Sequence, residues 1–215
     1  PAASSTVMCG RYDLSDNPAA IRAKFSVPAV PDLLANPDVR PTARAPSVRL
    51  ARSGARECVL ARWGLVPFWA KELKFGNRCI NARAETVATT PAFKAAYKAR
   101  RCLVPVSAFY EWTGEKGHKV KWRISVPDEP LFALAGLWEW WPGLPNARGA
   151  KDDPDKQPGV ETYTIITTAA NAQLTPIHGR MPVIVPPEHY AAWLDPAADA
   201  SDLLAGHATA LTLQS

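Results

Sequence analysis

A mainly antiparallel α+β barrel or sandwich, one domain with a few short helices, is the fold predicted by three features of these 215 residues. Apolar residues recur with period two over many short segments, the signature of half-buried strands. Twenty-one prolines break the chain too often for long helices, and the few period-3.6 stripes are short. A hydrophobic content of 47% with eight Trp is enough to fill a core at this length.

Residues 9–14 read as a first strand. Asn17-Pro18 then supplies an N-cap and a proline at N1, and Ile21 with Phe25 makes the buried stripe of a short helix. Residues 27–46 are proline-rich and predicted irregular. Strands are expected at 47–52 and 57–63, around Ser53-Gly54. A second helix should start at Thr90-Pro91, with Phe93 and Tyr97 on one side and Lys94, Lys98, Arg100 and Arg101 elsewhere. Residues 102–106 read as a buried strand, and 108–113 with 119–126 as a hairpin in which Val120, Trp122, Ile124 and Val126 alternate with polar residues. Residues 131–138 are almost wholly apolar, a strand covered on both faces. Residues 142–159, rich in Pro, Gly, Asp and Lys, are expected to be a mobile insertion inside the domain. Further strands are predicted at 160–168 and 182–185, and helices at 187–194 and 199–205.

Charge is unevenly spread. Residues 1–126 hold 21 Lys and Arg against 9 Asp and Glu, and residues 127–215 hold 4 against 11. In one domain this implies a basic face suited to a polyanion, most simply nucleic acid, although a solvated basic surface has the same composition. No apolar run reaches the ~20 residues of a membrane span. Four widely spaced cysteines (9, 58, 79 and 102), without a CxxC pair, argue against a disulfide framework or zinc site and for a reducing cytoplasm. No cofactor or metal is expected, and the chain reads as a monomer. Residues 1–7 read as a tag or a mis-assigned start preceding a domain over 8–215.

Five segments could do chemistry or bind a ligand. Met8-Cys9-Gly10-Arg11 sets a cysteine behind a plausible initiator methionine. Loss of everything through Met8 would leave an amine and a thiol on adjacent carbons, a 1,2-aminothiol that condenses with an aldehyde to an imine and closes to a thiazolidine. An α-amine has a pKa near 7.7–8.0, so roughly a tenth is neutral and nucleophilic at pH 7. An early cysteine serves equally as a small buried hydrophobe. Asn81-Ala82-Arg83-Ala84-Glu85, if extended, puts Asn81, Arg83 and Glu85 on one face, as an anion site or a solvent-facing edge would. In Phe109-Tyr110-Glu111-Trp112, alternation opposes Glu111 to two aromatics. Either those rings are exposed or the carboxylate faces the interior, where desolvation raises a carboxyl pKa and makes a proton shuttle. His178, in Ile177-His178-Gly179-Arg180-Met181-Pro182, suits proton transfer near neutrality or a structural role. His118, His189 and His207 carry no assignment. Trp63 through Trp69, followed by Lys71 and Lys74, reads as a core Trp63 with Phe68 and Trp69 as a stacking platform for bases or as further core.

Taken together, these motifs with Ala45-Pro46, Trp63-Gly64 through Pro67, Asn81 through Thr86, and Thr167-Thr168-Ala169-Ala170 resemble the SOS response-associated peptidase (SRAP) family of abasic-site processing proteins, in family order across residues 8–185. The resemblance implies a DNA-damage response and repair protein that binds single-stranded DNA, frees Cys9 by autocatalytic removal of the preceding residues, and crosslinks abasic sites through a thiazolidine. Cys9 is then the nucleophile, Asn81 orients the reacting group, Glu111 moves protons and His178 assists sugar ring opening. The implied DNA contacts are Arg11, Pro46, Trp69, Arg83, Thr167 and Arg180. A lyase activity and nucleoid association are further implications. A cysteine peptidase acting on other proteins, with Cys9, His178 and Asn81, and a non-covalent reader of modified or single-stranded DNA are the alternatives. Two departures from the family pattern stand out: Ala43 occupies a position often polar in relatives, and the chain stops at Ser215, short of the terminal stretch many relatives have, so a final strand is expected to be missing.

Overall fold

The computed structural model describes residues 10–32, 35–115, 117–143, 159–205 and 209–215. Cys9, the extension before it, His207 and residues 144–158 of the expected insertion lie outside the described residues. The first strands are β1 (Tyr12–Leu14), β2 (Asn36–Val39), β3 (Arg44–Leu50), β4 (Arg56–Trp63) and β5 (Asn81–Arg83). There follow β6 (Arg101–Val106), β7 (Ala108–Thr113), β8 (Val120–Ser125), β9 (Phe132–Trp141) and β10 (Val160–Ala169). The last are β11 (Arg180–Pro182), β12 (Ile184–Val185) and β13 (Thr212–Gln214). Three short α-helices, α1 (Pro18–Phe25), α2 (Lys94–Ala99) and α3 (Tyr190–Leu194), join them with 3-10 turns at Leu73–Arg78, Pro187–His189 and Ser201–Ala205.

Pairing runs β4–β3–β6–β9–β10 and returns to β4, closing a five-stranded barrel. All joints are antiparallel except β10–β4. Beyond β4, β5 continues along the same edge of β10, and β11 continues the line of β9 along the other. Alternation separates inside from outside. Arg101 donates to the backbone oxygens of Asp195 and Ala198, just past α3, so its side of β6 is the outer one. Cys102 and Val104, fully buried, therefore point inward. The ladder Cys102–Gly136–Ile165 carries this inner face onto β10, where Tyr163, Ile165 and Thr167 share it.

A second sheet, ordered β13-β8-β7-β1-β2, lies against the barrel. Tyr12 of β1 joins them: its hydroxyl lies 2.7 Å from that of Tyr163, and its ring packs 5.2 Å from Trp63. Trp63 in turn stacks at 6.3 Å on Tyr163 and donates its Nε1–H to Ile80. Trp63 is fully buried, as its sequence context predicts.

The predicted barrel with minor helices is the fold found, with several elements redrawn. α1 is as expected: Asn17 accepts from the Ala20 N–H at 2.9 Å, Ile21 and Phe25 are buried, and Ser26 ends it at φ 53°. The first strand shortens to three residues. The proline-rich 27–46 stretch holds β2 and the start of β3, since Pro37 lies on an edge strand where a missing N–H costs no ladder bond. The strand expected at 182–185 splits into β11 and β12 around Val183, whose N–H goes to Ile166 while its carbonyl accepts from Ala135. The second helix starts at Lys94 because a turn tied by Thr86 and Thr90 precedes it. The last described strand, β13, pairs with β8.

Candidate active site

Glu111 resolves the ambiguity of its segment. It is only 3% exposed, on the face of β7 that carries the fully buried Phe109, so the carboxylate faces the interior. The aromatics of the opposite face are sheltered by cations: Arg11 lies 5.4 Å over Trp112, and the Lys121 ammonium 3.6 Å over Tyr110. Arg11 also approaches Asp38 at 3.6 Å. The hydrogen bond from Arg40, with the Arg11 and Lys121 charges, holds the Asp38 carboxyl below its ordinary range.

The start of the described chain is tied to this strand. Tyr12 pairs with Phe109 and Asp13 with Ala108, and the Tyr110 N–H donates to the Arg11 carbonyl at 3.0 Å. The chain thus runs back from Tyr12 alongside β7 in the direction of Glu111.

Across from it, the barrel presents the other candidates. Parallel pairing matches Asn81 to Ile165 and Arg83 to Thr167, and antiparallel pairing matches Thr167 to Pro182 and Ala169 to Arg180. Asn81, Arg83, Thr167 and Arg180 therefore share the inner face that also bears Tyr163, the residue bonded to Tyr12. β5 ends at Arg83, so Glu85 lies in a turn and not in the predicted extended run. Its carboxylate still meets Arg180: Nη1 and Nη2 donate to Oε1 and Oε2, the second at 2.9 Å. That hydrogen bonding holds the Glu85 carboxyl below its ordinary value. Arg180 also donates to the Thr167 carbonyl at 2.7 Å, so most of its donors are already engaged.

His178 is half-buried, its N–H bonded to Leu174 at 2.9 Å. The Arg180 N–H donates to its Nδ1 at 3.1 Å, and the same Nδ1 lies 3.2 Å from the Arg180 carbonyl oxygen, so the backbone of Arg180 holds the ring. Phe68 and Trp69 are 59% and 48% exposed, with Trp69 edge-on to Phe75 at 5.2 Å. Thr167 is fully buried, and Pro46 is buried within β3, so its ring has little surface to offer a partner. Cys58, Cys79 and Cys102 are buried, and desolvation pushes their thiols up to about 11, 11 and 12. They are therefore protonated and inert at neutral pH. The Tyr12–Tyr163 latch has no signal in the sequence, since its partners lie 151 residues apart.

A family model described as SOS response associated peptidase (SRAP) matches residues 8–214. The chain belongs to that family. It is similar to the abasic site processing protein YoqW of Bacillus subtilis, 34% identical over 92% of this chain and 84% of that one. It also resembles the abasic site processing protein HMCES of Xenopus tropicalis, 28% identical over 72% of this chain and 51% of that protein. Among solved structures, a protein of Bacteroides thetaiotaomicron superposes with a TM-score of 0.77 at 26% identity, covering 91% of this chain and 85% of its own. A Bordetella bronchiseptica protein superposes at 0.76 and 25% identity, covering 95% and 98%.

Proposed function

We propose that this SRAP chain acts in the DNA-damage response by processing abasic sites in single-stranded DNA, capturing them covalently through Cys9 once the residues through Met8 are removed. The names of its relatives support the substrate. The observation that carries the reading is the pairing of β1 with β7, which leads the chain back from Tyr12 and Arg11 along the strand that holds the buried Glu111.

Capture begins when the neutral Cys9 amine adds to C1′ of the ring-opened sugar. The resulting carbinolamine loses water to an imine as a proton reaches the departing oxygen. The thiol then adds across C=N, sulfur to carbon and proton to nitrogen, giving a thiazolidine with water as the only by-product. Glu111 moves the protons of the first two steps. Asn81 orients the reacting group, and His178, held through Nδ1 by the Arg180 backbone, serves as general acid for sugar ring opening. Removal of the leading residues is assigned to the same Cys9 thiol. Arg11, Arg83 and the Trp69 ring are the accessible candidates for DNA contact. Arg180 acts first to hold Thr167 and Glu85, and reaches a phosphate only by exchanging Glu85.

The reading is tested with protein beginning at Met8, incubated with single-stranded DNA carrying one abasic site and run on a denaturing gel. A heat-stable adduct is expected, and Cys9→Ala should abolish it while leaving an imine that borohydride traps. An equal heat-stable adduct with Cys9→Ala removes the mechanism.

A further inference from the structure

Four cations gather on a part of the barrel that the candidate active site does not use. A cavity of about 560 Å³ is lined by Lys94, Tyr97, Lys98, Arg101 and Asp199. A second of about 320 Å³, which shares Arg101 and Pro196 with it, continues past Trp138 to Arg52. The two make one groove with Arg52, Arg101, Lys98 and Lys94 along it and Asp199 as its carboxylate. Among the described residues none of these four cations forms an ion pair, so their charge is left to the groove.

Two of the four cations do nothing for the fold. Lys94 and Lys98 stand four apart on a six-residue helix, both exposed, and like charges at that spacing destabilise a helix. Arg101 is 6% exposed, tied by Nη2 to the Asp195 and Ala198 carbonyls and set over the Trp193 and Tyr97 rings at 5.5 and 6.0 Å, so it lines the groove as a fixed charge. The groove also lies away from the candidate active site. It opens toward the start of β10, where Trp138 pairs with Tyr163, whereas Arg83 and Arg180 of the candidate site pair with Thr167 and Ala169 at the strand's far end.

We infer that the groove formed by Arg52, Arg101, Lys98 and Lys94 binds the phosphodiester backbone of DNA, as a second contact outside the reacting site. The chemistry fits a strand better than a single small anion: the cations are spread along two adjoining recesses, as repeated phosphates require, and the half-buried Trp138 and Tyr97 rings border it. The choice of DNA rests on the proposed function; that a phosphate chain is bound rests on the groove alone.

The test uses Lys94→Gln/Lys98→Gln, two exposed positions whose loss leaves the core intact, with the exposed Arg22→Gln on α1 as a control elsewhere. Binding of an unmodified single-stranded oligonucleotide of about 30 nucleotides is followed by fluorescence anisotropy as salt is raised. Loss of two phosphate contacts should flatten the plot of log affinity against log salt by about 1.4, and Arg22→Gln should leave it unchanged. Crosslinking to an abasic oligonucleotide of about 5 nucleotides with the abasic site at its centre, which leaves only two nucleotides on either side, should match wild type. An unchanged salt slope overturns the inference, as does loss of crosslinking to the short substrate, which would make the groove part of the reacting site. Should wild type bind the long strand with the expected slope yet form no adduct with abasic DNA, the groove stands and the capture mechanism falls.

Discussion

Replacing Glu111 by Gln isolates proton transfer from everything else the site does. The amide has the same shape, so at a position 3% exposed it opens no cavity. The same burial keeps the side chain from contributing to the DNA-facing surface, so affinity for the strand should hold. What is lost is a group able to take and return a proton. Positioned acid–base groups contribute about 10²–10⁴ in rate, or roughly 2.7–5.5 kcal/mol of barrier. Crosslinking by the variant should therefore slow at least about a hundredfold. It should not stop, because roughly a tenth of the terminal amine remains neutral at pH 7 and adds to aldehydes unaided. The assay is a single-turnover time course of adduct formation, paired with anisotropy on the same DNA. A rate within a few-fold of wild type, or a loss of rate that merely tracks a loss of binding, would refute the role given to this carboxylate.

Trp69→Ala should weaken single-stranded DNA binding by about 5- to 150-fold, the worth of one base stacked on an aromatic ring, and titration of the same strand reads it directly. Arg49 is 8% exposed, donates to Glu57 and Glu161 at 2.7 Å each and lies 3.9 Å from the Trp138 ring. Arg49→Met should cost about 2–3 kcal/mol, less than for a fully buried pair because both carboxylates keep some water, and calorimetry should find the melting point lowered by roughly 5–10 °C. Iodoacetamide at neutral pH should label a freed Cys9 and spare Cys58, Cys79 and Cys102, whose thiols are buried and pushed up to about 11 or 12; peptide mass mapping checks this. The Glu85–Arg180 contact, which holds the carboxyl below its ordinary 4.5, stabilises the fold above that pH and loses its contribution as pH falls through the lower folded value. Side-chain NMR should therefore find Glu85 titrating below 4.5, and Arg180→Gln should return it toward that value.

What could be read before the structure was what local periodicity encodes. The alternation through Phe109–Trp112 places Glu111 opposite Tyr110 and Trp112, and the sheet buries it as that pattern allows. Asn17-Pro18 marks the start of α1 because capping is a matter of three adjacent residues. Elements whose cause lies elsewhere in the chain were out of reach. β2 forms in an unpromising Asn-Pro-Asp-Val because β1 supplies its partner. The parallel joint of β4 with β10, which closes the barrel, links Arg62 to Thr162 and leaves no trace in either strand. Among the site residues, Asn81, Arg83, Thr167 and Arg180 were legible as motifs, but that they share one face follows only from the register of three strands. The sequence of β3 says nothing of the burial of Pro46. The groove of Lys94, Lys98, Arg101 and Arg52 needs α2, β6 and the β3–β4 turn to meet.

The most direct test is intact mass spectrometry of protein expressed from Met8, before and after exposure to abasic single-stranded DNA. The account predicts a chain beginning at Cys9 whose mass then rises by that of the oligonucleotide less one water. An adduct on a chain that still carries residues ahead of Cys9, or none on a chain with Cys9 free, would contradict it.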